Sequence, residues 1–171
     1  SEIDNLKIFD EHSIPKLEMV LRMFSDMKFQ IDVKTDEVAM PALKVIQENN
    51  AIDRVCIASF NSKRLNLVNN NYPNICISMG PNEVAKMLLS SFGLYKKSIL
   101  GNCLQIPIYE YGIKLVTKRF VKFIHSKGLK VCVWTINDEK TFKYLIDIGV
   151  DGIITDKPKL LFEVLDSATN Q

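Results

Sequence analysis

Histidine and tryptophan are scarce in this chain, with two of the first and one of the second in 171 residues. No GxGxxG or Walker pattern occurs, so the usual glycine-rich phosphate cradle of a nucleotide-binding sheet is missing. His12 lies in a polar N-terminal stretch, and His125 sits on a helical pattern far from any strand exit, as a surface or interhelix residue. Neither offers the paired acid and base of hydrolysis, and no Ser-His-Asp or Cys-His arrangement can be built around them. No apolar run approaches the ~18 residues a spanning helix needs. The opening SEIDNLKIFDEH is mixed and charged, unlike a signal or transit peptide. A net charge of +2 gives no electrostatic case for nucleic acid or an anionic membrane. Four cysteines, Cys56, Cys76, Cys103 and Cys132, form no CxxC pair. Each lies within a β-like run and reads first as a small buried thiol, with disulfides or a zinc site as the weaker alternatives, a usage that fits a reducing, cytoplasmic compartment.

What the chain does have is enough apolar content, 47% against 25% charged, to bury one substantial core, so residues 1–171 are taken as a single domain. Six short apolar runs recur: KFQIDVK (28–34), RVCIAS (54–59), NICISM (74–79), CLQIP (103–107), KVCVWT (130–135) and GIIT (152–155). Amphipathic segments alternate with them: PKLEMVLRMF, PALKVIQENN, SKRLNLVNN, NEVAKMLLSSFG, LVTKRFVKFIHSKG, DEKTFKYLIDIG and PKLLFEVLDSA. Asn137-Asp138 before one helix, Gly128 and Gly149 after two others, and Pro158 near the start of the last agree with those boundaries. Continuous apolar strands, each followed by a helix, predict a parallel sheet covered by helices. Six strands cannot close a barrel of eight, so periodicity leaves an open α/β sheet or an incomplete barrel.

Ligands bind at the C-terminal ends of strands in both architectures. Asp32 and Lys34 alternate with Ile31 and Val33 and share one face of the first strand. They read either as a solvated pair or as a metal-binding carboxylate beside a phosphate-binding ammonium. Ser59, Phe60 and Asn61 follow the second strand, Gln105 lies on the fourth, and Trp134 and Thr135 end the fifth. A ring of polar and aromatic groups at strand exits is the pattern of a barrel mouth, although Trp134 could equally pack beneath a loop. Residues 149–152 read as a structural turn, with Thr155 and Asp156 at the last exit, where Asp156 is expected to cap the next helix.

Taken together, these motifs resemble one family. LQIPIYEYGIKLVTKRFVKFIHSKGLKVCVWTINDEKTFKYLIDIGVDGIITDKPKLL resembles the C-terminal part of bacterial glycerophosphodiester phosphodiesterases. IPKLEMVL, FQIDVK and VCIASFNSKRL resemble earlier family segments in the same order, so the resemblance runs from about residue 14 to 165. It implies a TIM-barrel type (β/α) fold of which the chain carries six of eight strand–helix units, the third to the eighth. Residues 1–13 then correspond to the tail of the family's small insertion.

The implied reaction is metal-assisted hydrolysis of a glycerophosphodiester to glycerol 3-phosphate and an alcohol, with Mg²⁺ or Ca²⁺ as the cofactor. By resemblance, Asp32 stands where the family has a metal-binding Glu, Lys34 near the phosphate, and Trp134 at the substrate mouth. Asp32 is one methylene shorter than Glu, ~1.5 Å less reach against metal–oxygen distances of roughly 2.0–2.6 Å. The family's HRG strand, its Glu-x-Asp pair and its second catalytic histidine do not occur in these residues, so no catalytic residue carries over. A non-catalytic module that binds a phosphorylated small molecule or a partner chain is the alternative. A small phosphodiester is the expected partner, with oligomers or chain pairing at open sheet edges and no nucleic acid or transmembrane segment.

Overall fold

The structure, a computed structural model, describes residues 6–8 and 12–169. They divide into two compact units. The first runs to Ser59 and includes Lys63–Cys76; the second takes Phe60–Ser62 and everything from Ile77 onward. The expectation for residues 1–13 falls largely outside the described residues. Its described remainder, β1 (Lys7–Ile8) and β2 (His12–Ser13), forms a small antiparallel pair.

In the first unit, α1 (Leu17–Met23) leads to β3 (Phe29–Asp32), α2 (Asp36–Glu48), β4 (Val55–Ala58), α3 (Ser62–Asn71) from its second residue and the first residue of β5 (Cys76–Ile77). The strands lie in the order β3-β4-β5, with β3 and β4 parallel and Asp32 opposite Ala58. Side chains alternate across each strand. Val55 and Ile57 are buried, as are Leu21, Ala39, Leu43, Ile46, Leu65 and Val68 on the helices. The opposite strand face carries Gln30, Asp32, Cys56 and Ala58, which are exposed or half-buried.

The second unit contains α4 (Pro81–Ser91), β6 (Cys103–Ile106), β7 (Tyr109–Glu110), β8 (Ile113–Lys114), α5 (Lys118–Ser126), β9 (Lys130–Val133), α6 (Glu139–Ile148), β10 (Gly152–Ile153) and α7 (Pro158–Thr169). Its parallel strands run β10-β9-β6, in chain order. Leu104 and Ile106 of β6 and Val131 and Val133 of β9 meet Phe120, Val121 and Ile124 of α5 and Phe142, Leu145 and Ile148 of α6 in one core. The helical residues recur at three- and four-residue spacing, which puts them on one face. Each large apolar side chain so buried contributes about 1.5–3 kcal/mol.

Several boundaries differ from the periodicity. The segment beginning at Pro41 is part of a helix that starts at Asp36, after extended Thr35, with Pro41 inside it. Asp36 and Glu37 in the first turn suit the positive helix end, which helps to offset the hydrogen bond that Pro41 cannot donate. Two strands shrink to Cys76–Ile77 and Gly152–Ile153; past the second, Ile154 N–H still donates to the Val133 carbonyl at 2.9 Å. The antiparallel β7–β8 ribbon is not part of the six-strand pattern. Its turn uses Tyr111 at φ 47° and Gly112 at φ 77°, the consecutive left-handed pair of a tight hairpin. Among the described residues, no helix is long and apolar enough to cross a membrane.

Two ends of α6 test this local chemistry. Gly149 closes the helix at φ 80°, so Gly149→Ala is expected to destabilise by about 1–2 kcal/mol in urea titration, the cost of left-handed backbone for a residue with Cβ. Asp138 accepts the Thr141 N–H at 2.9 Å, and this bond lowers its pKa. A lowered carboxyl stabilises the fold above its unfolded pKa and loses that effect as pH falls through the folded value. The stability difference between the native protein and Asp138→Ala should therefore be constant at neutral pH, begin to shrink as pH falls past about 4, the unfolded value, and reach its minimum only below the lowered folded value.

Candidate functional site

In the first unit, the chemistry gathers where β3 ends. Parity puts Asp32 and Lys34 on one face and turns Val33 to the other, where it is buried. Val33 N–H donates to the Ala58 carbonyl at 2.8 Å, which extends the ladder past the strand. The Val33 carbonyl accepts from Ser59 Oγ at 3.0 Å and from Arg64 Nη1 at 2.7 Å. Arg64 also donates through Nη1 to Ser59 Oγ at 2.9 Å and through Nε to Asp36 Oδ1 at 2.7 Å. The backbone between Asp32 and Lys34 is thus fixed from behind by a buried guanidinium. The Lys34 ammonium pairs with Asp32 Oδ2 at 2.5 Å, both groups being open to solvent. An exposed ammonium held beside a carboxylate can still present its outer hydrogens to an anion.

Ser59 was expected on the rim. It is buried, and its hydroxyl supports Val33. Arg64 went unnoticed as part of this arrangement. Its signal was faint: a charged residue immediately before Leu65, on the apolar face that Leu65 and Val68 define.

In the second unit, Trp134 follows β9 with its N–H on the Ile106 carbonyl at 3.2 Å. The indole is half-buried and meets Phe60 edge-on, ring centres 6.4 Å apart and planes at 79°. Such an edge-to-face pair adds roughly 0.5–1.5 kcal/mol beyond burial. Thr135 points to solvent and Gln105 is half-buried.

Asn137 ties the exits of β9 and β10 together. Its Oδ1 accepts from Thr155 Oγ1 at 3.1 Å and from Asp156 N–H at 2.9 Å, and its Nδ2 donates to Asp156 Oδ2 at 2.9 Å. Asp156, expected to cap α7, sends its carboxylate to Asn137, while Thr155 Oγ1 takes the Lys157 N–H at 2.9 Å. The backbone around Trp134 is pinned on both sides, since Ile136 N–H also donates to the Ile154 carbonyl at 3.0 Å. His125 is an exposed residue at the end of α5, with Nε2 2.8 Å from Asp151 Oδ2.

Whether these residues could hold a divalent metal depends on carboxylate supply. Ca²⁺ and Mg²⁺ want several oxygen ligands. Asp32 offers one carboxylate, already engaged by Lys34. Among the described residues, no three His, Asp or Glu side chains converge as a ligand set. Around Asp32, the residues present do not by themselves supply the oxygen ligands of a Mg²⁺ or Ca²⁺ centre. Among the described residues, none of the four cysteines is joined in a disulfide; Cys103 is buried and the others are half-buried.

The sequence matches the glycerophosphoryl diester phosphodiesterase family model over residues 4–160. A Mycobacterium tuberculosis protein named "Probable glycerophosphodiester phosphodiesterase 2" is 33% identical over 162 residues, covering 90% of this chain and 60% of that protein. A glycerophosphodiester phosphodiesterase from Caldanaerobacter subterraneus is 27% identical over 165 residues, covering 92% of this chain and 64% of that protein. The chain therefore spans less than two thirds of the length of these curated relatives.

Among solved structures, a glycerophosphodiester phosphodiesterase from Parabacteroides distasonis matches with a TM-score of 0.77 at 21% identity, covering 98% of this chain and 71% of that one. An Oleispira antarctica phosphodiesterase, solved in complex with the product sn-glycerol-3-phosphate, matches with a TM-score of 0.70 at 21% identity, covering 90% and 62%. The fold is the TIM-barrel type (β/α) fold, and six parallel-sheet strands with their helices lie in this chain.

Replacing Arg64 by Leu removes the donors that satisfy the Val33 carbonyl, Ser59 and Asp36. Its expected cost is about 2–4 kcal/mol in urea unfolding, the range for stripping a buried charged donor from its acceptors. A loss under 0.5 kcal/mol would show that the network does not hold the end of β3 (roughly the scatter of ordinary surface substitutions).

Proposed function

Because the chain belongs to the glycerophosphoryl diester phosphodiesterase family, we propose that it serves the hydrolysis of glycerophosphodiesters to glycerol 3-phosphate and an alcohol. The observation that carries this is the Asp32–Lys34 pair at the end of β3, held rigid by Arg64 and Ser59 in a chain of that family. In the reaction, a water oxygen forms a bond to phosphorus, the bond from phosphorus to the alcohol oxygen breaks, and that oxygen takes a proton. Lys34 binds a phosphoryl oxygen and offsets charge that builds on it. Trp134, backed by Phe60 within the second unit, is assigned a substrate-contacting role on the family resemblance alone. The Oleispira relative holds sn-glycerol-3-phosphate, the product this reading assigns here.

A divalent ion, Mg²⁺ or Ca²⁺, would supply Lewis-acid polarisation of the phosphoryl group, with Asp32 as one ligand beside carboxylates that these residues do not provide. The single engaged carboxylate favours a second reading, a module that binds a phosphorylated small molecule or partner chain without turnover. Four cysteines outside any disulfide fit a cytoplasmic location. β3 and β10 are the outer strands of their sheets and are the places where another chain would pair.

Calorimetric titration with sn-glycerol 3-phosphate, run beside an assay of its release from glycerophosphocholine with Mg²⁺ or Ca²⁺, separates these readings. Binding with metal-dependent release supports the enzyme, and binding without release supports the module. Absence of both removes the two together. Lys34→Met should weaken binding roughly 10- to 100-fold, the worth of a charge-assisted hydrogen bond. Unchanged affinity would take Lys34 out of the site.

A further inference from the structure

We propose that one end of the second unit docks on an anionic lipid surface. The net charge of +2 conceals a segregation. Residues 84–137 contain nine Lys or Arg and a single Asp or Glu, Glu110, whereas the rest of the chain contains 13 and 19. An excess of eight positive charges in one stretch is set against an excess of six negative charges elsewhere.

The fold gathers part of that excess at the N-terminal ends of β6 and β9. Lys96 and Lys97 lie on the loop from α4 to β6, and Lys127 ends α5 just before β9. The three line one cavity of about 510 Å³ together with Tyr95 and Ser98. All three are exposed. Among the described residues, no carboxylate pairs with any of them. Asp151 lies at the same strand ends, but its carboxylate is taken by His125 and by the Val131 N–H, each at 2.8 Å.

Apolar side chains protrude among these lysines: Leu94 is 73% exposed, Phe92 58% and Leu89 46%. Arg119 lies over the Phe92 ring at 4.8 Å and Lys127 over Phe123 at 5.5 Å. Cations beside exposed leucine and phenylalanine make an interfacial anchor, with apolar tips in the acyl boundary and ammonium groups on headgroup phosphates. A nucleic acid would use the charge but gain little from Leu89 and Leu94. Charge complementarity selects anionic over zwitterionic lipid. Trp134 lies at the opposite, C-terminal end of β9, so docking in this way leaves that rim facing water. Docking needs no turnover and stands apart from the proposed hydrolysis.

The test is co-sedimentation of the full chain with vesicles of phosphatidylcholine alone or with one third phosphatidylglycerol. The protein should bind the anionic vesicles at least tenfold more tightly and be released by about 1 M salt, where screening is nearly complete. Replacing Lys96, Lys97 and Lys127 together by Ala should weaken binding on the order of 100-fold, about fivefold per lysine. A control triple variant at exposed Lys44, Lys140 and Lys143 should leave it unchanged, and both variants are checked for native circular dichroism. Phe92→Ser with Leu94→Ser should also lower affinity while charge is untouched. Equal binding to both vesicles, salt-insensitive binding or undiminished binding by the first triple variant would each overturn the proposal. So would tighter binding to a single-stranded RNA oligomer, or a dimer that the first triple variant abolishes.

Discussion

One-sided burial of the strands sets the terms for everything else in this chain. In each three-stranded sheet, one face is covered by helices through Val55 and Ile57, or through Leu104, Ile106, Val131 and Val133. Period-two alternation then leaves the other face to Gln30, Asp32 and Cys56, or to Gln105 and Cys132. A polar or small residue can occupy those positions because the covered face already supplies the stabilisation. The candidate site residues lie on this second face, or just past the strand where it ends. The candidate site thus occupies positions that the core does not need.

Rigidity at those positions comes from backbone carbonyls satisfied by side chains behind them. At the end of β3, Arg64 and Ser59 converge on one carbonyl. At the exits of β9 and β10, Asn137 joins two turns through three hydrogen bonds. The two devices differ in cost. Burying a guanidinium carries a large desolvation penalty that its three acceptors must offset, whereas a neutral amide carries little. Each is specific to its place, and neither involves the side chains that would touch a ligand.

Much of the fold was legible in the sequence because helix and strand periods differ and the chain respects both. The six core strands fall where the apolar runs lie, and the caps at Asp138 and Gly149 follow from residue type. The start of α2 was hidden because Pro41 looked like a first-turn proline, while the end charge that begins the helix lies five residues earlier. The ribbon at 109–114 was hidden because two-residue strands carry no period, and only Tyr111-Gly112 marked its turn. At the site, strand parity exposed Asp32 and Lys34. Arg64, by contrast, acts through a contact 31 residues away in the chain, which no local pattern encodes. The segregation of charge was written in the sequence all along, but a whole-chain sum erased it.

Trp134, the only tryptophan, is half-buried against Phe60 at the end of β9. Near-ultraviolet excitation at the red edge of protein absorption therefore illuminates a single spot in the second unit. Loosening of the first unit, whose described aromatic residues are phenylalanine and Tyr72, passes unseen in that emission. A melting curve followed by tryptophan light and one followed by backbone ellipticity thus answer different questions about this molecule. Their midpoints coincide only if the two units come apart as one.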